Sequence, residues 1–226
     1  MSDGHQILNG IGVYAGTSHG RVAFVMPAPE ADPDEGPCTD WEAGSARIRE
    51  AMQAVAEDLR NRRDLATDEK SKAVLAATAQ LAADKGLIKS VDKKLKKGEG
   101  PTHAVYSAVE DYAVLLKKLG GYMAERVTDL HDVRDRTIAR LRGLPAPGVP
   151  DITEPVIIAA YDLAPAEAAT LDPKLVMGIL TEEGGPTSHT AILAAQLGIP
   201  CVVKISGLTR HVHDGGTVAL DGGVGE

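Results

Sequence analysis

Aromatic residues are scarce in this chain, with one Phe, one Trp and five Tyr among 226 residues. Alanine and leucine therefore carry much of the apolar work, a composition that suits helices. Cysteine is nearly absent, and Cys38 and Cys201 stand far apart, which argues against a disulfide framework. No apolar run approaches the roughly 18 residues that mark a membrane-spanning helix, and no basic start precedes an apolar core. A soluble, cytoplasmic protein is expected. Positive charge is in deficit as well. The formal net charge of −8 argues against a general nucleic-acid binder and allows an acidic face that docks a basic partner. The length accommodates one large domain or two small ones around a real core.

What is present changes character twice along the chain. Residues 7 to 25 are β-prone pieces separated by Gly10, Gly12, Gly16 and Gly20, which read as two strands and a turn, with His19 on the surface in a glycine turn. A polar connector rich in Pro, Asp, Glu and Gly follows over 27 to 40. From Trp41 to Leu144 the period is helical. Ile48, Met52, Val55 and Leu59 form one apolar stripe, and Val74, Leu75 and Leu81 belong to a second helix ending near Asp84 to Gly86. The lysine-rich run 92 to 97 reads as a solvated helix end before Gly98, with a phosphate-contacting patch as the alternative. Pro101 opens a third helix striped by Val105, Val109, Tyr112 and Leu116; Gly120 and Gly121 break it, and a fourth runs to Gly143. Four amphipathic helices make a small bundle. After a proline-rich joint at 145 to 155 the α/β alternation resumes, with strands at Val156–Ala160, Val176–Leu180, Cys201–Val203 and Thr217–Leu220 and a short helix at Pro165–Leu171. Strands, then helices, then strands predict a discontinuous α/β domain over 1–30 and 145–226, interrupted by an all-α bundle over 31–144.

The chain is organised around Gly184-Gly185-Pro186-Thr187-Ser188-His189-Thr190-Ala191-Ile192-Leu193. A strand precedes it, and a helix follows that stops at Gly198 and Pro200. Strand, glycine turn and helix point free backbone N–H groups outward at a helix N-terminus, which is a ready anion site. Thr187 or Ser188 serves as N-cap and puts His189 in the first helical turn. A neutral imidazole there attacks phosphorus as a nucleophile, and the phosphoryl group then lands among N–H donors and hydroxyls.

The pattern Gly-Gly-x-Thr-Ser-His-Thr-Ala-Ile, continued by Leu-Gly-Ile-Pro-Cys-Val-Val, closely resembles the phosphohistidine signature of phosphoenolpyruvate-utilising enzymes, among them Enzyme I of the bacterial sugar phosphotransferase system, pyruvate phosphate dikinase and phosphoenolpyruvate synthase. The segment Tyr122-Met-Ala-Glu-Arg126-Val-Thr-Asp129-Leu-His-Asp132-Val resembles the last long helix of the Enzyme I helical subdomain. No nucleotide-binding region precedes the motif, as dikinases and synthases would have. The resemblance to Enzyme I implies a swivelling-type phosphohistidine domain with an inserted helical subdomain that docks the carrier HPr. It implies His189 as the phosphoryl carrier, with Gly184, Gly185, Thr187, Ser188 and Thr190 supporting the loop. It also implies HPr contacts on the second and third helices at Glu69, Leu81, Asp84, Leu115, Tyr122 and Arg126, with bundle core as the alternative for Leu81, Leu115 and Tyr122. In that family phosphoenolpyruvate and Mg²⁺ bind a C-terminal barrel. This chain stops too early to contain it, so no cofactor or metal is expected here, and the barrel becomes a partner domain. Departures from the family are Pro186 and Ala195 where Arg is frequent, Ala168 where a hydroxyl residue is frequent, and Thr78 where His is common.

Other candidates carry less. In His211-Val212-His213-Asp214 the alternate residues would share a strand face, as in part of a metal motif, but a metal site needs more ligands and Cys201 is no obvious fourth. His103 and His131 lie in helices as surface or satisfied residues. Cys201 reads as a small buried strand residue. Ser188 beside His189 lacks the Gly-x-Ser-x-Gly elbow of a hydrolase. Two rival readings stand beside the Enzyme I one: a phosphohistidine fragment of a dikinase or synthase, and a module that docks HPr without turnover.

Overall fold

The apolar stripes over 41 to 144 become helices and the flanking β-prone stretches become strands. The computed structural model describes residues 6–65, 69–163, 165–168 and 171–226, without the side chains of Lys70, Ser71, Tyr122, Glu125, Pro165 and Ala166. In chain order the elements begin with strands β1 (Ile11–Tyr14) and β2 (Thr17–Val25). Helices α1 (Trp41–Leu65), α2 (Glu69–Ala82), α3 (Lys85–Leu95), α4 (Pro101–Leu119), α5 (Gly121–Glu125) and α6 (Val127–Arg142) come next. The chain closes with β3 (Val156–Ala160), α7 (Pro165–Ala168), β4 (Val176–Thr181), α8 (His189–Leu197), β5 (Cys201–Val203), α9 (Leu208–His211) and β6 (Thr217–Asp221). Two compact units result: Met1–Pro27 with Pro147–Glu226, and Ala28–Ala146.

The first unit is a six-stranded mixed sheet in the order β1-β5-β4-β3-β2-β6. The inner four strands run parallel, and β1 and β6 add antiparallel edges. The central strand β3 is buried along its whole length. Val156, Ile158 and Ala160 enter one apolar cluster and Ile157 and Ala159 the other, so both sheet faces are covered and the sequence reads as an unbroken apolar run. The strands β1 and β2 do not form a hairpin despite their adjacency. Val22 to Val25 gain more by lying parallel to β3 in the core than by pairing locally, and β1 goes to the far edge beside β5. Glycine makes the close approach at that edge feasible, since a Cβ on Gly12 would stand 2.2 Å from the Gly222 carbonyl oxygen. His19 lies within β2, opposite Ala219 of β6, and is exposed there; the ladder from β6 carries the strand through Gly20, one of the glycines that suggested a turn. The segment 211 to 214 is not a strand. Leu208–His211 is a helical turn, the His211 Nδ1 sits 2.8 Å from the Gly207 carbonyl, and Asp214 accepts a bond from the Phe24 N–H at 2.9 Å.

The second unit is helical, with six helices among the described residues where the sequence suggested four. The α1 stripe is buried as expected: Ile48 and Met52 join α3, α4 and α6 in one cluster, while Val55 and Leu59 join α2 and Val133 in another. The lysine-rich run is the solvated end of a helix, α3, with Lys93 and Lys94 in its last turn and Lys96 as its C-cap. That helix, which the sequence did not separate from its neighbours, forms because Asp84 caps it by accepting the Leu87 N–H at 2.7 Å and because Leu87, Val91 and Leu95 supply a buried i, i+4, i+8 stripe. Gly120 and Gly121 both take positive φ and end α4, and a joint at Arg126 divides the predicted fourth helix into α5 and α6.

The polar connector ahead of α1 has a structural task. Gly100 gives α4 no side-chain cap, so the Glu35 carboxylate takes that place from 67 residues away. Its Oε2 accepts the Thr102 N–H at 2.7 Å, the Thr102 hydroxyl at 2.8 Å and the His103 N–H at 3.3 Å, and the His103 ring contacts the Asp32 carbonyl at 3.0 Å. Thr102 is 1% exposed, so water cannot replace the lost acceptor. Glu35→Ala therefore lowers unfolding stability by about 1–2 kcal/mol, the cost of a lost cap with a buried donor left unpaired. Urea unfolding followed by circular dichroism measures this, and an unchanged midpoint would show that the connector does not cap α4.

Candidate active site

The site grows from the carboxyl ends of the parallel strands, where open α/β sheets place their ligands. Three backbone bonds hold the exit of β4. The Ile205 N–H donates to the Thr181 carbonyl at 3.0 Å, the Glu182 N–H to the Ala160 carbonyl at 3.1 Å and the Glu183 N–H to the Tyr161 carbonyl at 2.8 Å. The fully buried Thr181 hydroxyl then closes the turn by donating to the Glu183 carbonyl at 2.7 Å. Gly184 follows at φ +96°, a backbone conformation that L side chains rarely adopt.

Of the two candidate caps, Ser188 is the one used. It has extended backbone, and its Oγ accepts the Ala191 N–H at 3.2 Å while its carbonyl accepts the Ile192 N–H at 3.0 Å. His189 is thereby the first residue of α8, and it is exposed. The His189 and Thr190 N–H groups have no acceptor among the described residues, so both donors stand free at the positive end of the helix. Thr190 is buried, and its hydroxyl faces the Leu163 carbonyl at 3.4 Å. The three hydroxyls therefore differ. Thr187 is exposed, Ser188 keeps its own proton free while its oxygen caps the helix, and Thr190 is turned toward the protein interior. Gly184 and Gly185 give the loop its turn without adding bulk, and Gly185 faces open space. Helix α8 is anchored beneath by Ala191 and Ala194 and stops at Gly198 in the left-handed conformation.

Glu182 braces the loop from the opposite side. Its Oε2 accepts the Thr209 N–H at 2.8 Å and the Thr209 hydroxyl at 2.6 Å. These bonds to Thr209, aided by the Arg210 charge, hold its carboxyl below the ordinary carboxylate value. Cys201 is buried within β5, and burial pushes its thiol up to about 12, which leaves it no nucleophilic thiolate at neutral pH.

The residues assigned to HPr contact all lie in the helical unit. Glu69 opens α2, exposed and 2.8 Å from Lys72. Leu81 is half-buried against both helical clusters, and Asp84 caps α3 while accepting the Tyr112 hydroxyl at 3.2 Å. Leu115 is 51% exposed on α4. Tyr122 falls in α5, but its side chain lies outside the described residues. Arg126 pairs with Asp129 at 2.7 Å. Thr78 is buried and bonds the Val74 carbonyl at 3.0 Å. The structure also exposes Val114 and Leu119 of α4, and Met123, which the sequence pattern puts on the apolar stripe of the fourth helix, is 46% exposed instead. The Leu115 to Leu119 spacing of four was the available signal.

Comparison with known proteins agrees with this architecture. Residues 9–126 match the family described as PEP-utilising enzyme, N-terminal, and residues 152–225 match PEP-utilising enzyme, mobile domain. The chain therefore belongs to the PEP-utilising enzymes. Within them it is similar to the N-terminal portion of Enzyme I, the phosphoenolpyruvate-protein phosphotransferase. It is 47% identical over 97% of its length to the phosphoenolpyruvate-protein phosphotransferase of Streptomyces coelicolor, of which it covers 39%. It is 33% identical over 97% of its length to that of Haloferax volcanii, of which it covers 40%. A solution structure of Enzyme I (nEIt) superposes with a TM-score of 0.65 at 28% identity, covering 97% of this chain and 91% of that one. The chain thus spans about two fifths of the length of these curated relatives.

The Glu182 brace gives a pH signature. A carboxyl held below its unfolded value contributes stability above that unfolded value and loses it as pH falls through the folded one. Wild type is therefore more stable than Glu182→Gln near neutral pH, and the difference closes below the ordinary carboxylate range. Thermal midpoints of both proteins between pH 3 and 7 check this, and a difference constant with pH would show that the charge of Glu182 plays no part.

Proposed function

We propose that the chain carries a phosphoryl group on His189 and exchanges it reversibly with a histidine of the carrier protein HPr. One observation carries the reading: His189 stands exposed at the first position of α8, beside two backbone N–H donors and the Ser188 proton, none of which has another acceptor among the described residues. In the exchange a ring nitrogen of His189 attacks the phosphorus in line. The new N–P bond forms as the donor histidine's N–P bond breaks, the bonding pair returns to the donor ring, and no net proton moves. The free N–H groups take up charge as it develops on the phosphoryl oxygens, and they need no reorganisation at that moment. Thr187, Ser188 and Thr190 complete the support, with Gly184 and Gly185 shaping the loop.

The helical unit is the HPr docking surface in this proposal. Its role is to bring two histidines within reach, a proximity effect that replaces a bimolecular search. Glu69, Leu81, Asp84, Leu115, Tyr122 and Arg126 are the assigned contacts. The exposed Leu115 supports the assignment best, because Leu81 and Asp84 already serve the packing and capping of their own helices. Phosphoenolpyruvate and Mg²⁺ belong to a C-terminal domain outside this sequence, with cytoplasmic sugar uptake as the wider setting. Among the described residues no group of three or more His, Cys, Asp or Glu side chains is placed to hold a metal ion. In this proposal the loop donors of this chain and the partner's own groups share the phosphoryl charge. No described helix is long and apolar enough to cross a membrane.

Incubation with phosphorylated HPr, followed by ³¹P NMR, tests the proposal with His189→Ala as control. Wild type acquires an acid-labile phosphohistidine signal and the variant acquires none. Binding without transfer would instead leave a docking module, and loss of HPr binding together with ATP binding would favour a dikinase-like fragment.

A further inference from the structure

A second residue at the carboxyl edge of the sheet stands out by its backbone. Lys204, the residue after β5, has φ +58°, and every other residue with positive φ among those described is a glycine. In the left-handed region Cβ crowds the following carbonyl oxygen, a cost that glycine escapes and that Asn or Asp offset by bonding their own backbone. Lysine has neither means. Outliers of this kind cluster at functional sites, and the inference runs from the observed outlier to a role.

The surroundings of Lys204 indicate which role. Its neighbour Ile205 donates to the Thr181 carbonyl at 3.0 Å, so Lys204 is one peptide from the end of β4, where the His189 loop begins. Across that loop, the Thr181 and Ser188 hydroxyl oxygens stand 3.7 and 3.5 Å from the point a Gly184 Cβ would occupy. The backbone of Lys204 therefore borders the turn that delivers His189. Residues 182 to 197, which include all of α8, contain Glu182 and Glu183 and no Lys or Arg. A phosphoryl group brings about two negative charges. The helix terminus offers roughly half a positive charge against them. Lys204 is exposed and has no ion pair or hydrogen bond among the described residues, whereas Arg210 already acts on Glu182. The exposed lysines of α3 sit on ordinary helical backbone and show no comparable cost.

We infer that Lys204 is the cationic partner of the phosphoryl group on His189, its ammonium reaching the phosphoryl oxygens on a flexible four-carbon stem. The inference rests on the function proposed above. Lys204 exchanges no proton and forms no covalent bond; it stabilises the charged product.

The test compares wild type with Lys204→Met, Lys204→Arg and Lys204→Gly for the equilibrium fraction phosphorylated by phosphorylated HPr, read by ³¹P NMR at low and high salt. Lys204→Met keeps the backbone cost and loses the charge. Its phosphorylation equilibrium constant falls about 3- to 10-fold at low salt, the range of a single partly screened charge contact, and the gap narrows at high salt. Lys204→Arg restores the wild-type equilibrium. Lys204→Gly raises the thermal midpoint yet transfers like Lys204→Met, a split that a purely structural residue would not produce. Normal phosphorylation of wild type with equal constants and salt dependence in all three variants overturns the role of Lys204 alone. So does a loss found in Arg210→Gln and not in Lys204→Met. A wild-type chain that accepts no phosphoryl group overturns both this inference and the function beneath it.

Discussion

The buried hydroxyl of Thr181 is the contact on which the site depends. It has no access to water, and it satisfies itself by donating to the Glu183 carbonyl, which turns the chain sharply at the end of β4. The Thr181 carbonyl is meanwhile held by Ile205 of the next segment. A buried hydroxyl left without a partner costs free energy, so the turn has one satisfied arrangement. From it follow the left-handed Gly184, the Ser188 cap and the exposure of His189 at the start of α8. The imidazole is thus aimed by a short chain of local bonds fixed to the most buried part of the sheet.

The helical unit follows the same rule of satisfaction with different groups. Its helices are held by two apolar clusters, and carboxylates close their ends: Asp84 on α3 and, across 67 residues, Glu35 on α4. Its surface carries many ion pairs, among them Arg134 with Glu110, Arg136 with Asp132 and Arg140 with Asp58. An exposed pair such as Arg140 with Asp58 contributes little, whereas Arg134 and Arg136 are themselves largely buried. The clusters fix the fold, and these caps fix where α3 and α4 begin. Exposed apolar side chains such as Leu115 and Leu119 are left over from both tasks, and they are the groups available to a protein partner.

Much of this was legible in the sequence because the deciding chemistry is local. The glycine pair, the hydroxyl cap and the following apolar helix lie within ten residues, so the placement of His189 in a first helical turn could be read directly. The α1 stripe and the fully apolar β3 were equally plain, since one face or two must be buried. Three features escaped for one shared reason. The edge position of β1 depends on β5, the cap of α4 depends on Glu35, and the extension of β2 through His19 depends on β6, all distant in sequence. Helix α3 was obscured differently, because a run of lysines masked the Leu87, Val91 and Leu95 spacing. The backbone of Lys204 left no trace at all, as lysine carries no turn signal.

On the proposed function, a phosphoryl group on this chain rests among the first-turn donors of α8. Backbone amide NMR of the chain before and after phosphorylation tests this placement. The amides of His189, Thr190 and their neighbours in the loop are expected to move far more than any in the helical unit, as their free N–H groups gain a charged acceptor. First-turn amides that stay in place while a phosphoryl group is bound would contradict it.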